Sequence, residues 1–150
     1  MRNWKSLLTF LVITLAAAAT GTISAPDAWF SALQKPSFNP PTWVFPPVWS
    51  VLYAMMAIAA WRVYRVTGVG AAIGLWFAQL LINAAWTPLF FGAHRLDLAA
   101  ADIALLVVLI AATTIAFFRR DRIAGALMIP YLAWVGFAAA LTFAIWRLNP

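Results

Sequence analysis

Five apolar runs, at roughly 6–24, 44–63, 70–92, 98–118 and 123–147, divide almost the whole chain. A helix needs about 20 residues to bridge a hydrocarbon core of ~30 Å, and each run supplies about that number. Composition agrees with lipid as the solvent. Charged residues are 9% of the chain and Glu is absent, whereas a soluble domain carries about 25% charge. The expected fold is therefore all-α: a single polytopic domain over 1–150, a five-transmembrane-helix bundle with little soluble structure.

The ends of the runs carry recognisable signals. Thr42 and Pro46-Pro47 suit the first turn of the second helix, where a missing N–H does no harm. Gly68 and Gly70 break the chain before the third run, and Arg119 to Arg122 separate the fourth from the fifth. Pro88 and Pro130 fall inside their segments, as membrane helices tolerate. Arg2, Lys5 and the apolar stretch after them also resemble a secretory leader. The run continues apolar to about Ser24, long enough to span, which favours a retained first helix.

If the five spans alternate, Arg2, Lys5, Arg62, Arg65, Arg119, Arg120 and Arg122 share one side, and Lys35, Arg95 and Arg147 the other. The positive-inside rule then puts the N-terminus in the cytoplasm. The net charge of +6 is explained by these loop positions, without nucleic acid as a partner. Apolar helices of this kind belong in an inner or cytoplasmic membrane, since bacterial outer-membrane spans are usually barrels; a bacterial inner membrane is expected, with a mitochondrial one the alternative. No internal repeat of the kind common in secondary transporters is visible.

Residues 25–43, APDAWFSALQKPSFNPPTW, form one connection far longer than the usual ~2–8 residues between helices. Its aromatic residues and four prolines predict a stiff lid packed back on the bundle mouth. The competing expectation is an interfacial belt of Trp29, Phe30 and Trp43.

Few residues can carry chemistry. Without Cys and with one His, His94, the chain assembles no metal cluster, carboxylate pair or nucleophile–base set. His94 beside Arg95 reads as a solvated loop residue, and Asp102, one turn into the fourth run, as half of an ion pair with them. The intramembrane polar residues say more, since they are costly in lipid and face inward. Gln79, Asn83 and Thr87 lie on one face of the third helix, flanked by Trp86 and Phe90. Trp49, Tyr53 and Met56 share a face of the second; Tyr131, Trp134, Ala138 and Thr142 share one of the fifth. Together these faces can line a small-molecule pocket, or they can hold helices together by hydrogen bonds, the expected role of Gln79 and Thr87. Gly70, Gly74 and Ala78 form a small-residue ridge suited to close helix contact, within the monomer or across a dimer.

The stretch KPSFNPPTWVFPPVWSVLY (35–53) resembles the signature of the tryptophan-rich sensory protein family, whose members are also called translocator proteins or peripheral-type benzodiazepine receptors. QLLINAAWTPLFFG (79–92) and PYLAWVGFAAALTFAIWRLN (130–149) match its third and fifth helices, and the likeness covers essentially the whole chain. The resemblance implies a five-helix bundle, usually homodimeric, with the first loop folded over the cavity. It also implies a receptor or carrier for porphyrins, with protoporphyrin IX or another haem-pathway tetrapyrrole as ligand and no required cofactor. Sterols and benzodiazepine-type drugs are further ligands, and a stress- or oxygen-linked regulatory role is implied. Light-dependent porphyrin breakdown and transport of porphyrin or lipid are the rival activities.

Matched motif by motif, the ligand-binding positions are Phe30, Trp49, Tyr53, Asn83, Trp86, Phe90, Trp134 and Ala138. For the homodimer that the resemblance implies, the small-residue ridge of Gly70, Gly74 and Ala78 is the expected interface, with packing inside the monomer the equal alternative. Two departures stand out. Thr142 replaces the more usual Asn, and nothing basic follows Tyr131 until Arg147, so the sterol-recognition pattern at that tyrosine is incomplete.

Overall fold

The computed structural model describes residues 3–150; among them every regular element is helical. Five helices are long and apolar enough to cross a membrane: Asn3–Ile23, Thr42–Thr67, Ala71–Gly92, Leu96–Phe118 and Arg122–Leu148. At 1.5 Å per residue they are about 31 to 40 Å long. The first breaks between Ala18 and Thr20. The second opens with a 3-10 turn, Thr42–Val44, and Pro46 and Pro47 fall in the first turn of the α-helix that follows. The third changes from α to π winding at Pro88–Gly92. Pro88 supplies no N–H there, and the Ala93 amide reaches back five residues to its carbonyl at 2.7 Å. The fifth helix runs unbroken through Pro130.

The second helix overruns the expected end at 63 and stops at Thr67, because its basic residues find places without leaving the helix. The Arg65 guanidinium lies 4.8 Å from the centre of the Trp61 ring, and Arg62 ion-pairs with Asp121 at 2.9 Å. Gly68, at a φ of 68°, then turns the chain where a side chain would be strained.

Packing follows the distribution of small and large side chains. Ala57, Ala59 and Ala60 are fully buried on the second helix and let its neighbours approach closely. Met56, Trp76, Leu106, Ile110, Phe117, Met128 and Val135 fill the interior from four helices. Leu81, Leu105, Val108, Ile115 and Ile129 point outward, where an apolar surface suits lipid.

One end of the bundle is tied by polar contacts. The Trp61 indole donates to the Asn3 carbonyl at 3.1 Å, and Asp121 both pairs with Arg62 and caps the fifth helix through the Ile123 and Ala124 amides. This gathers Lys5, Arg62, Arg65, Arg119, Arg120 and Arg122 at one end; Arg2 lies outside the described residues. Burial alone would raise the Asp121 carboxyl, but the Ala124 amide and the Arg62 guanidinium outweigh it and hold it below the ordinary range. Asp121→Ala is expected to cost about 1 kcal/mol through the lost cap. That contribution is present at neutral pH and disappears as pH falls through the depressed carboxyl titration. Thermal unfolding in detergent should therefore separate wild type from variant at pH 7 and bring them together only in acid below the ordinary carboxylate range.

At the other end the first loop folds over the bundle. Ala28–Ala32 form a short helix capped by Asp27, whose Oδ1 accepts the Phe30 amide at 3.1 Å. The Lys35 ammonium donates to the Phe30 and Leu33 carbonyls at 2.6 and 3.2 Å. Gln34 and Asn149 exchange two hydrogen bonds, 3.0 and 2.9 Å, which fasten the loop to the end of the fifth helix. Trp29 and Phe30 of this lid are half-buried against the bundle, whereas Trp43 is exposed and alone suits the belt position.

Candidate functional site: an aromatic wall between three helices

The inward polar residues of the third helix meet two tyrosines. Tyr53 donates from its hydroxyl to Asn83 Oδ1 at 2.8 Å, and Asn83 Nδ2 donates to the Tyr131 hydroxyl at 2.8 Å. Tyr131 in turn donates to Gln79 Oε1 at 2.7 Å, and the Gln79 amide contacts Met56 Sδ at 3.7 Å. Second, third and fifth helices are thus joined by one chain of hydrogen bonds. The i, i+4 spacing of Gln79 and Asn83 aims both amides at the same partner. Groups of this kind at membrane depth are costly unless paired.

Aromatic rings extend from this network toward the lid. Trp49 lies 5.4 Å from Tyr53 and meets Tyr131 edge-on at 6.3 Å. Trp134 packs against Phe45 at 5.8 Å and Phe137 at 5.5 Å. Trp86 stacks on Phe90 at 4.9 Å, and Phe30 of the lid meets Phe90 and Phe91 at 6.0 and 5.2 Å. Trp86 touches both apolar clusters of the interior, so it joins the deep set (Trp49, Tyr53, Trp134, Ala138) to the lid-side set (Phe30, Phe90).

Hydrogen-bond accounting separates these residues by role. The Asn83 amide engages two tyrosines, whereas the indole N–H groups of Trp86 and Trp134 are buried and find no partner among the described residues. An unpaired N–H costs about 1 to 3 kcal/mol. Two such donors in one aromatic wall suit a flat ring system bearing acceptor groups. Trp76 also has a buried, unpaired indole, but it packs edge-on to Phe10 at the interface with the first helix.

The pattern of known proteins agrees with this architecture. The model of the TspO/MBR family matches residues 7–147. The chain belongs to the TspO/MBR family. A tryptophan-rich sensory protein of Cereibacter sphaeroides is 45% identical over 147 residues, which are 98% of this chain and 93% of that protein. Protein CrtK of Rhodobacter capsulatus is 43% identical over 148 residues, covering 94% and 91% of the two chains. The human translocator protein is 40% identical over 126 residues, 81% of this chain and 75% of its own.

Within this TspO/MBR bundle three expectations change. Asp102 does not pair with His94 or Arg95. Arg95 is held by Asp97 through contacts of 2.9 and 2.7 Å and His94 by Asp27 at 3.2 Å, while Asp102 Oδ2 is buried without a partner among the described residues. His94 is more than a solvated loop residue, because its ring stacks on Trp29 at 4.1 Å. Gly70 and Gly74 do not serve close packing within the protomer. Among the described residues a Cβ added at either would meet nothing within 4 Å, and both line an outward groove of about 500 Å³ between the first and third helices.

Sequence reasoning placed Tyr131 on a pocket-lining face but left it, with Trp29, Phe45 and Phe137, out of the ligand-binding positions. Tyr131 shares the Trp134 face and was legible by spacing. Trp29, on the lid, has no periodicity to place it.

Proposed function

We propose that this TspO/MBR protein is a membrane receptor or carrier for a flat, acceptor-bearing hydrophobic molecule of the tetrapyrrole class, held between the second, third and fifth helices beneath the lid. The buried indole N–H groups of Trp86 and Trp134, without a partner among the described residues, carry this reading. They lie in a wall otherwise built of aromatic faces, and a porphyrin offers those faces a stacking partner and those donors its propionates. Trp49, Tyr53 and Ala138 supply apolar surface, Phe30 and Phe90 close the lid side, and Asn83 keeps two tyrosines in place.

Titration of detergent-purified protein with protoporphyrin IX in the dark tests it. Saturable quenching of Trp fluorescence at micromolar concentration, about 8 kcal/mol of binding, that weakens in Trp49→Ala and Asn83→Ala is expected. Quenching that never saturates would remove the reading.

The same family reading supports a homodimer through Gly70, Gly74 and Ala78. Since the chain has no Cys, Gly74→Cys gives a single reporter. Oxidation in native membranes is expected to yield a covalent dimer from Gly74→Cys and none from Val108→Cys on the outward face of the fourth helix. Equal yields from both would mean random collision.

A further inference from the structure

The exposed end of the bundle holds the chain's one histidine in an unusual setting. His94 has a φ of 53°, the left-handed region that side chains rarely adopt. Its Nε2 lies 3.2 Å from Asp27 Oδ2, and its ring stacks on Trp29 at 4.1 Å with planes 15° apart. Trp29 continues edge-on to Phe90 at 6.0 Å, part of the aromatic wall. Asp27 has a second duty, because its other oxygen caps the lid helix at Phe30. One carboxylate thus joins the lid's own folding to the turn between the third and fourth helices.

We infer that Asp27, Trp29 and His94 form a proton-sensitive latch, in which protonation of His94 holds the lid shut over the aromatic wall. This rests on the proposed ligand site only for its consequence; the latch itself is a property of the free protein. Histidine ordinarily changes charge between pH 5 and 8. An imidazolium would gain a charged partner in Asp27 and a π-face in Trp29, and a neutral ring would keep only a hydrogen bond and stacking.

The other charges nearby do not cancel this gain. The Arg95 guanidinium is engaged by Asp97 at 2.9 and 2.7 Å, and Lys35, on the lid, is bonded to the Phe30 and Leu33 carbonyls. Asp27 itself stays ionised into acid. The Phe30 amide, with His94 beside it, holds its carboxyl below the ordinary range. The sign follows: the latch is tight where His94 carries a charge and loosens where its ring is neutral.

Gln34 and Asn149 fasten the far side of the lid by neutral hydrogen bonds, so the loosening is expected at the Asp27 side alone. Exposed ion pairs are weak, and the effect is expected to be about two- to five-fold.

Hydrogen exchange of the ligand-free protein at pH 5.5 and 8, corrected for the intrinsic pH dependence of exchange, tests the latch. Amides of residues 27–32 should exchange about two- to five-fold more slowly at pH 5.5, with those around Gln34 unchanged. His94→Gln, which keeps a hydrogen bond but not the charge, should abolish the difference. Asp27→Asn should do the same while still capping the lid helix, since Asn caps as well as Asp. A wild-type lid indifferent to pH, or the same pH dependence in both variants, would overturn the latch. Protoporphyrin IX dissociation, compared between wild type and variants at each pH, then tests the consequence. Failure to bind porphyrin would count against the proposed site and leave the exchange result to judge the latch.

Discussion

Tyr131→Phe is expected to lower the melting temperature of the purified protein by about 4 to 8 °C while leaving it folded. The hydroxyl it removes accepts from Asn83 and donates to Gln79, and the Tyr131 side chain is fully buried. A buried partner left without its hydrogen bond costs about 1 to 3 kcal/mol. Inside membranes the cost per bond is smaller, ~0.6 kcal/mol on average, because the unfolded chain in lipid finds other partners. Two bonds broken at a fully buried site make about 2 kcal/mol reasonable, and each kcal/mol is worth about 2 to 4 °C at this chain length. Tyr53→Phe, which removes one bond from a half-buried residue, should shift melting by about half as much. The double variant Tyr131→Phe, Asn83→Ala should fall short of the sum of its parts, since both substitutions break the same bond. An unchanged melting temperature in Tyr131→Phe would mean that the network closes on other partners.

The largest effect on binding is expected from Trp86→Phe and Trp134→Phe. Each keeps an aromatic face and removes one buried donor. Hydrogen bonds to charged acceptors contribute about 1.5 to 3 kcal/mol, so loss of one donor should weaken protoporphyrin IX about ten- to hundred-fold. Stability should change little or improve, because in the free protein each N–H is desolvated without return. That opposition, weaker binding with stability retained, distinguishes a ligand donor from a packing residue. Trp76→Phe is the control. Its indole also lacks a partner among the described residues but faces Phe10 at the first helix, and binding should be unaffected.

How much of this could be read in the sequence varied with the physics involved. The five spans were legible because lipid demands long apolar helices, and no tertiary contact is needed to see them. Their ends were less so: the second helix outran its apolar run because Trp61 and Asp121 accommodate Arg65 and Arg62. The deep faces at Asn83, Tyr53 and Trp134 were legible from helical spacing, since each helix presents one inward stripe. Which polar atom in those stripes is free was not. Whether Asn83 or Trp86 has a donor to spare depends on where Tyr53 and Tyr131 come to rest, a matter of three helices meeting. The lid shows the same limit. Its prolines announced a stiff segment, but the pairing of Asp27 with His94 joins residues 67 positions apart, and spacing carries no trace of it. Asp102 misled for the same reason, because its expected partners were taken by nearer carboxylates.

The most direct test of the proposed site uses the nine Trp side chains as reporters. Indole N–H resonances of protein labelled with nitrogen-15 at Trp, assigned by single Trp→Phe substitutions, would be followed while protoporphyrin IX is added in the dark. A ligand between the second, third and fifth helices should shift the Trp86 and Trp134 signals most, with Trp49 following through ring currents. Trp61, already bonded to Asn3 and Ser6, should stay in place. Shifts confined to Trp4, Trp43 and Trp146 on the outer surface, with Trp86 and Trp134 unmoved at saturation, would put the porphyrin on the outside of the bundle and contradict the site.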